Sequence, residues 1–153
     1  SARPAPCARH PVMNILLVED NPADMRLVRE AMTECGAPAA LHWVADGDAA
    51  LDFLHRTGAH REAPVPDLVL LDLNLPGIGG KEVLAEIKRD PELRSIPVIV
   101  LTSSAARQDV LDTYRAHGNA YMVKPADFED YLELVCRIQS YWLGAVLLPS
   151  RAT

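Results

Sequence analysis

Leu68-Val69-Leu70-Leu71-Asp72-Leu73-Asn74-Leu75-Pro76-Gly77 is the stretch on which the fold reading turns. Four consecutive apolar residues with no polar alternation describe a strand covered on both faces, the condition of a parallel sheet flanked by helices. The run stops at a carboxylate, and Pro76-Gly77 then marks a turn. Two further runs have the same form: Ile15-Leu16-Leu17-Val18, followed by Glu19-Asp20, and Val98-Ile99-Val100-Leu101, followed by Thr102-Ser103-Ser104.

Outward from these runs, strands are expected at 14–19, 39–45, 68–72, 98–102 and 120–123. Helix-like apolar spacing lies between them at 24–35, 49–56, 80–89, 108–117 and 128–143. Gly36, Gly58 and Gly118 stand where helices should stop. Five βα units in alternation predict an α/β protein with a doubly wound five-stranded parallel sheet. The three continuous runs are its expected centre. In such sheets ligands collect outside the carboxyl ends of the strands.

The 153 residues suffice for one domain, 49% are hydrophobic, and the net charge is -6. That acidity offers no basic face for nucleic acid, and no apolar run approaches the roughly 20 residues of a membrane span. Cys7, Cys35 and Cys136 are odd in number and widely spaced, so neither a disulfide framework nor a zinc site is expected, and a reducing cytoplasm fits best. Residues 1–12 lack the apolar core of a secretory signal and read as a flexible leader or an expression remnant. The domain is placed at 13–143 and a C-terminal extension at 144–153.

The strand ends carry the chemistry. Glu19, Asp20 and Asp72 follow the first and third strands, Thr102 ends the fourth, and Lys124-Pro125 follows the fifth. Any one of these residues alone reads as a cap or a solvated loop residue. Together they converge on one crevice from four strand ends. Clustered carboxylates repel by about 4 kcal/mol per pair at 4 Å and an effective dielectric near 20. A resident hard cation is therefore expected, and Mg²⁺ suits one or two carboxylates, waters and a phosphate oxygen. In a phosphoryl-transfer site of this kind Asp72 is the nucleophile. Asp20, Asp72 and the Asn74 backbone carbonyl bind the metal, and Glu19 helps indirectly. Lys124 pairs with phosphate oxygens, and Thr102 donates its hydroxyl. Lys124-Pro125 is a candidate cis peptide with trans as the default. Leu75-Pro76-Gly77 and Gly79-Gly80 read as a tight, mobile turn beneath the acceptor.

Val18-Glu19-Asp20-Asn21, the 71–77 segment, Leu101-Thr102-Ser103 and Tyr121-Met122-Val123-Lys124-Pro125 resemble the receiver domain of two-component response regulators. The resemblance covers nearly everything after Met13. It implies a flavodoxin-like sheet of order 2-1-3-4-5, a sensor histidine kinase as phosphoryl donor, and a receiver that promotes its own phosphorylation and hydrolysis. It also implies that Thr102 moves toward the phosphate while Tyr121 turns inward, reshaping the face made by the fourth helix, fifth strand and fifth helix. Asn74 and Ser104 occupy positions that tune phosphate lifetime in the family.

Asn21-Pro22-Ala23-Asp24, 82–88, Asp90-Pro91 and 141–149 are similar to the single-domain regulators encoded beside bacterial and cyanobacterial phytochromes. A bacteriophytochrome kinase is the implied partner. Tyr131, Leu134, Ile138, Tyr141 and Trp142 give the last helix more apolar surface than one sheet face needs, and Leu147 and Leu148 extend it. A homodimer contact through Tyr141, Trp142, Leu147 and Leu148 is expected, against the alternative that they fold back on their own domain. Three other functions compete. A metal-dependent aspartyl-phosphate phosphatase is weakened by Asn74 in place of a second acid, and a flavin carrier by the acidic strand ends. A receiver-like module that binds without phosphorylation remains as the third.

Overall fold

The computed structural model describes residues 12–36 and 39–149. In chain order these form β1 Met13–Val18, α1 Pro22–Cys35, β2 Ala39–Val44, α2 Gly47–His55, a 3₁₀ turn Gly58–His60 and β3 Leu68–Leu71. They continue with α3 Gly80–Arg89, β4 Val98–Thr102, α4 Arg107–Arg115, β5 Ala120–Val123, α5 Phe128–Ile138 and a π-helical segment Gln139–Ala145. All strand pairs are parallel and the order is β2-β1-β3-β4-β5, as expected. No helix among the described residues is long and apolar enough to cross a membrane.

The continuous runs do become the centre of the sheet, because strand side chains alternate between faces with a period of two. Leu16, Val18, Val69, Leu71 and Val98 point into a layer closed by Phe53 and Leu54 of α2 and Val83, Leu84 and Ile87 of α3. Ile15, Leu17, Leu68, Leu70, Ile99 and Leu101 point the other way, onto Met25, Val28 and Met32 of α1 and Tyr131, Val135 and Ile138 of α5. The edge strands β2 and β5 are only partly covered. Helix α4 buries Thr113 alone and is the least anchored of the five.

Several expectations need correction. Both β1 and β3 end one residue before the acids that follow them, and α2 is closed by Arg56 in the left-handed region (φ 58) rather than by Gly58. Gly80 is no part of a mobile turn: a Cβ there would lie 2.3 Å from the Asp72 carbonyl oxygen and 2.6 Å from Leu73 Cα. Cys35 and Cys136 form a disulfide, with Cα atoms 5.5 Å apart across a sequence separation of 101. Spacing could not show it, because α1 and α5 meet only in the folded layer. Cys7 and most of the expected leader lie outside the described residues, as do 150–153.

The tail divides the four expected dimer residues. Leu148 is 1% exposed within its own chain, so it folds back and is not available as a contact. Trp142 is partly buried against the α1–α5 layer. Tyr141 and Leu147 stay exposed, at 58% and 74%.

Gly80→Ala is expected to lower the unfolding free energy by about 2–3 kcal/mol, since backbone and not a flexible side chain meets the added methyl. Gly144, with nothing within 4 Å of an added Cβ, is the control, and Gly144→Ala should stay within about 0.5 kcal/mol of wild type. Urea midpoints of the two variants check both values.

Candidate functional site

The sheet places the acids. Asp72 donates its backbone N–H to the Val18 carbonyl at 3.0 Å, which sets the end of β3 beside the end of β1, and the Glu19 N–H bonds the Val44 carbonyl at 3.1 Å. Glu19 and Asp72 are consequently buried, at 2% and 5% exposure, whereas Asp20 faces solvent. One carboxylate oxygen from each of Glu19, Asp20 and Asp72 lies within 4.8 Å of the others. Trp43 on β2 ties the first acid further, its indole N–H donating to the Glu19 carbonyl at 2.7 Å.

Lys124 holds the centre. Its side chain is 9% exposed and its ammonium donates to Glu19 Oε2 at 2.5 Å, Asp72 Oδ2 at 2.7 Å and Asp24 Oδ2 at 2.9 Å, one acceptor for each proton. No cis peptide is needed to aim it: the described peptide bonds are all trans. The Lys124 N–H instead bonds the Thr102 carbonyl at 2.7 Å, fixing where β5 ends relative to β4. The remaining Asp72 oxygen, Oδ1, accepts from the fully buried Thr102 hydroxyl at 2.9 Å and from the Asn74 N–H at 3.0 Å.

These contacts divide the two buried acids. Burial alone would raise the Asp72 pKa, but the bonds from Lys124, the Asn74 N–H and Thr102 outweigh it and hold the carboxyl below its usual range. Glu19 is dominated by burial and is pushed up to about 7 despite Lys124 and the Asn21 N–H. Burial would lower the Lys124 ammonium, yet its carboxylate partners reverse this and raise it. Asp72 is thus the ionised, oriented carboxylate of the site. Both Glu19 oxygens are already engaged, Oε1 by the Asn21 N–H and Oε2 by Lys124. The Asp72 oxygens are engaged as well, by Lys124, Thr102 and the Asn74 N–H, so exposed Asp20 is the more available oxygen donor, and the three acids together are a set that fits a hard divalent cation.

Asp24 was missed by sequence reasoning. It sits in the first turn of α1, after the Asn21 cap whose side chain accepts from the Ala23 N–H, and that start of α1 packs at the same strand end. The Asn21-Pro22 helix start was the available clue. Tyr121 was expected as a movable aromatic. Here its half-buried ring donates its hydroxyl to the Ser104 carbonyl at 2.7 Å, on the loop leading into α4. Ser104 in turn donates to Asp109 at 2.5 Å, and Lys81 of α3 pairs with Asp109 and Asp112 of α4. A pocket of about 450 Å³ lined by Asp24, Ser103, Lys124 and Phe128 opens beside the cluster.

Known proteins share the fold and much of the sequence. A family profile described as the response regulator receiver domain matches residues 15–136. Response regulator Rcp1 of Synechocystis sp. (strain ATCC 27184 / PCC 6803 / Kazusa) is 45% identical over 141 residues, 92% of this chain and 96% of that protein. A probable methanogenesis regulatory protein, FilR2 of Methanothrix harundinacea (strain 6Ac), is 46% identical over 132 residues, 85% of this chain and 83% of its own. Among solved structures, the phosphorylated cyanobacterial phytochrome response regulator RcpA superposes with a TM-score of 0.87 at 43% identity, covering 90% of this chain and 99% of that one. The Mn²⁺-bound form of Rcp1 gives 0.86 at 46% identity, with the same coverage. With the sheet order, the strand-end acids and these matches in agreement, the chain belongs to the response regulator receiver domain family.

Proposed function

We propose that Asp72 accepts a phosphoryl group from the phosphohistidine of a sensor kinase and that the chain signals through protein contacts. The observation that carries this reading is the Asp72 carboxylate, buried, held ionised, and contacted at once by an ammonium, a hydroxyl and a backbone N–H. An Asp72 oxygen attacks phosphorus, the P–N bond to histidine breaks, and the imidazole leaves, taking up a proton from solvent. Lys124 and Thr102 shift their bonds from the carboxylate to phosphoryl oxygens. Hydrolysis of the acyl phosphate at the same site returns Asp72, so the chain would promote its own phosphorylation and dephosphorylation without being an enzyme toward other substrates.

Asp20, Asp72 and the Asn74 carbonyl are the groups proposed to hold Mg²⁺, with Glu19 acting indirectly. When bound, Mg²⁺ neutralises charge on the transferring phosphoryl oxygens. A Mn²⁺-bound relative supports a divalent cation at such a site. The likeness to RcpA supports a phytochrome-type kinase as donor, and the proposed meeting place is the cytoplasm. Identity to FilR2 is as high, so the choice of a phytochrome kinase rests also on the 141–149 motif.

Homodimerisation belongs to the same reading, supported by Tyr141 and Leu147. Both are exposed apolar side chains on the tail, and Tyr114 of α4 and Val123 of β5 are exposed too, at 50% and 42%.

Intact mass after incubation with Mg²⁺ and acetyl phosphate tests the acceptor. One phosphate adduct is expected on wild type and none on Asp72→Asn or without Mg²⁺; an adduct on Asp72→Asn at the wild-type level would reject the assignment. Leu147→Asp is expected to turn a dimer into a monomer in light scattering, because a charge would be desolvated in the contact. An unchanged mass would move the interface elsewhere.

A further inference from the structure

We infer that Cys35 and Cys136 are a redox modification site, a dithiol that low-molecular-weight disulfides oxidise reversibly and that staples α5 to α1. The inference adds a second input to the phosphoacceptor reading and stands without it. Cys35 is the last residue of α1, and Cys136 lies near the end of α5. Their Cα separation of 5.5 Å lies in the range a disulfide spans without backbone movement. Both side chains are half-buried and not sealed in the core, so a small oxidant or reductant can reach them.

The place of the bridge gives it consequence. At the site end, Asp24 in the first turn of α1 pairs with Lys124, four residues before α5 begins at Phe128. The disulfide closes the opposite end of the same helix pair. Helix α5 then runs without a break into the π-helical Gln139–Ala145 segment, which leads to Leu147 and Leu148. Gln139 reaches back to the Met32 carbonyl at a long 3.4 Å, and Leu148 packs into the chain. Whatever holds the end of α5 therefore also holds the tail that presents Tyr141 and Leu147. In a reducing compartment such a bridge is usually transient and sensory.

The chemistry is thiol–disulfide exchange. One cysteine thiolate attacks a sulfur of the small disulfide, forming a mixed disulfide and releasing one small thiol. The second cysteine thiolate attacks the protein sulfur of that intermediate and releases the other. The two protein thiols lose two electrons and two protons, and the small disulfide gains them as two thiols. No further reactant is required.

The test equilibrates the full chain across a series of reduced-to-oxidised glutathione ratios, quenches with acid, alkylates with N-ethylmaleimide and weighs the protein intact. Of the 3 cysteines, all are expected to be alkylated in the reduced form and one in the oxidised form, with a peptide joining Cys35 to Cys136. Amide hydrogen exchange at residues 139–149 should quicken at least about tenfold on reduction. Cys136→Ser, or Cys35→Ala should the first fold poorly, should show the fast exchange at every ratio. Three alkylated cysteines throughout, a bridge to Cys7 instead, or equal exchange in the two forms would overturn the inference.

Discussion

One ammonium decides how this fold can carry its acids. Lys124 sits at the end of β5 and draws in the ends of β1 and β3 and the start of α1 through Glu19, Asp72 and Asp24. Each carboxylate pair left uncompensated about 4 Å apart would repel by roughly 4 kcal/mol at an effective dielectric near 20. Glu19, raised to about 7, shows burial outweighing what Lys124 and the Asn21 N–H supply. Because the folded value lies above the unfolded one, Glu19 supports the fold below about pH 4.5, and that support fades as pH rises through about 7. A divalent cation works in the opposite sense, by favouring the ionised acids.

From Asp72 the contacts lead outward to the least anchored part of the structure. Thr102 bonds Asp72, Tyr121 bonds the Ser104 carbonyl, and Ser104 bonds Asp109, where Lys81 ties α4 to α3. The Lys81 pairs are partly exposed and contribute little. With Thr113 as its one buried residue, α4 can shift at small cost. Reversing a 1:99 equilibrium needs about 5.5 kcal/mol of differential stabilisation. In the proposed reading, a phosphoryl group on Asp72 draws Thr102 and Lys124 onto its oxygens at the inner end of that chain of contacts.

What the sequence revealed depended on how local the physics was. Strands β1, β3 and β4 were legible because burial on both faces leaves unbroken apolar runs, and Glu19, Asp20, Asp72, Thr102 and Lys124 because each ends or follows a strand. Asp24 was hidden because its role depends on how α1 enters the site, and the Trp43 bond to Glu19 because it crosses from an edge strand. The Cys35–Cys136 bridge and the burial of Leu148 depend on α1–α5 packing between residues far apart in sequence. Arg56 took the left-handed cap expected of Gly58, a choice of backbone that residue type alone does not dictate.

The central claim is that exposed Asp20 and buried Asp72, at the strand ends where Lys124 gathers the acids, form a divalent-cation site. Trp43, bonded to the Glu19 carbonyl at 2.7 Å, provides the reporter, and the only other tryptophan, Trp142, lies on the tail and can be silenced as Trp142→Phe. Mg²⁺ titration of that protein by fluorescence should saturate, and adding Asp20→Asn should weaken binding at least about tenfold. Equal Mg²⁺ affinity with and without Asp20, or no response to Mg²⁺ at all from the folded protein, would contradict the account.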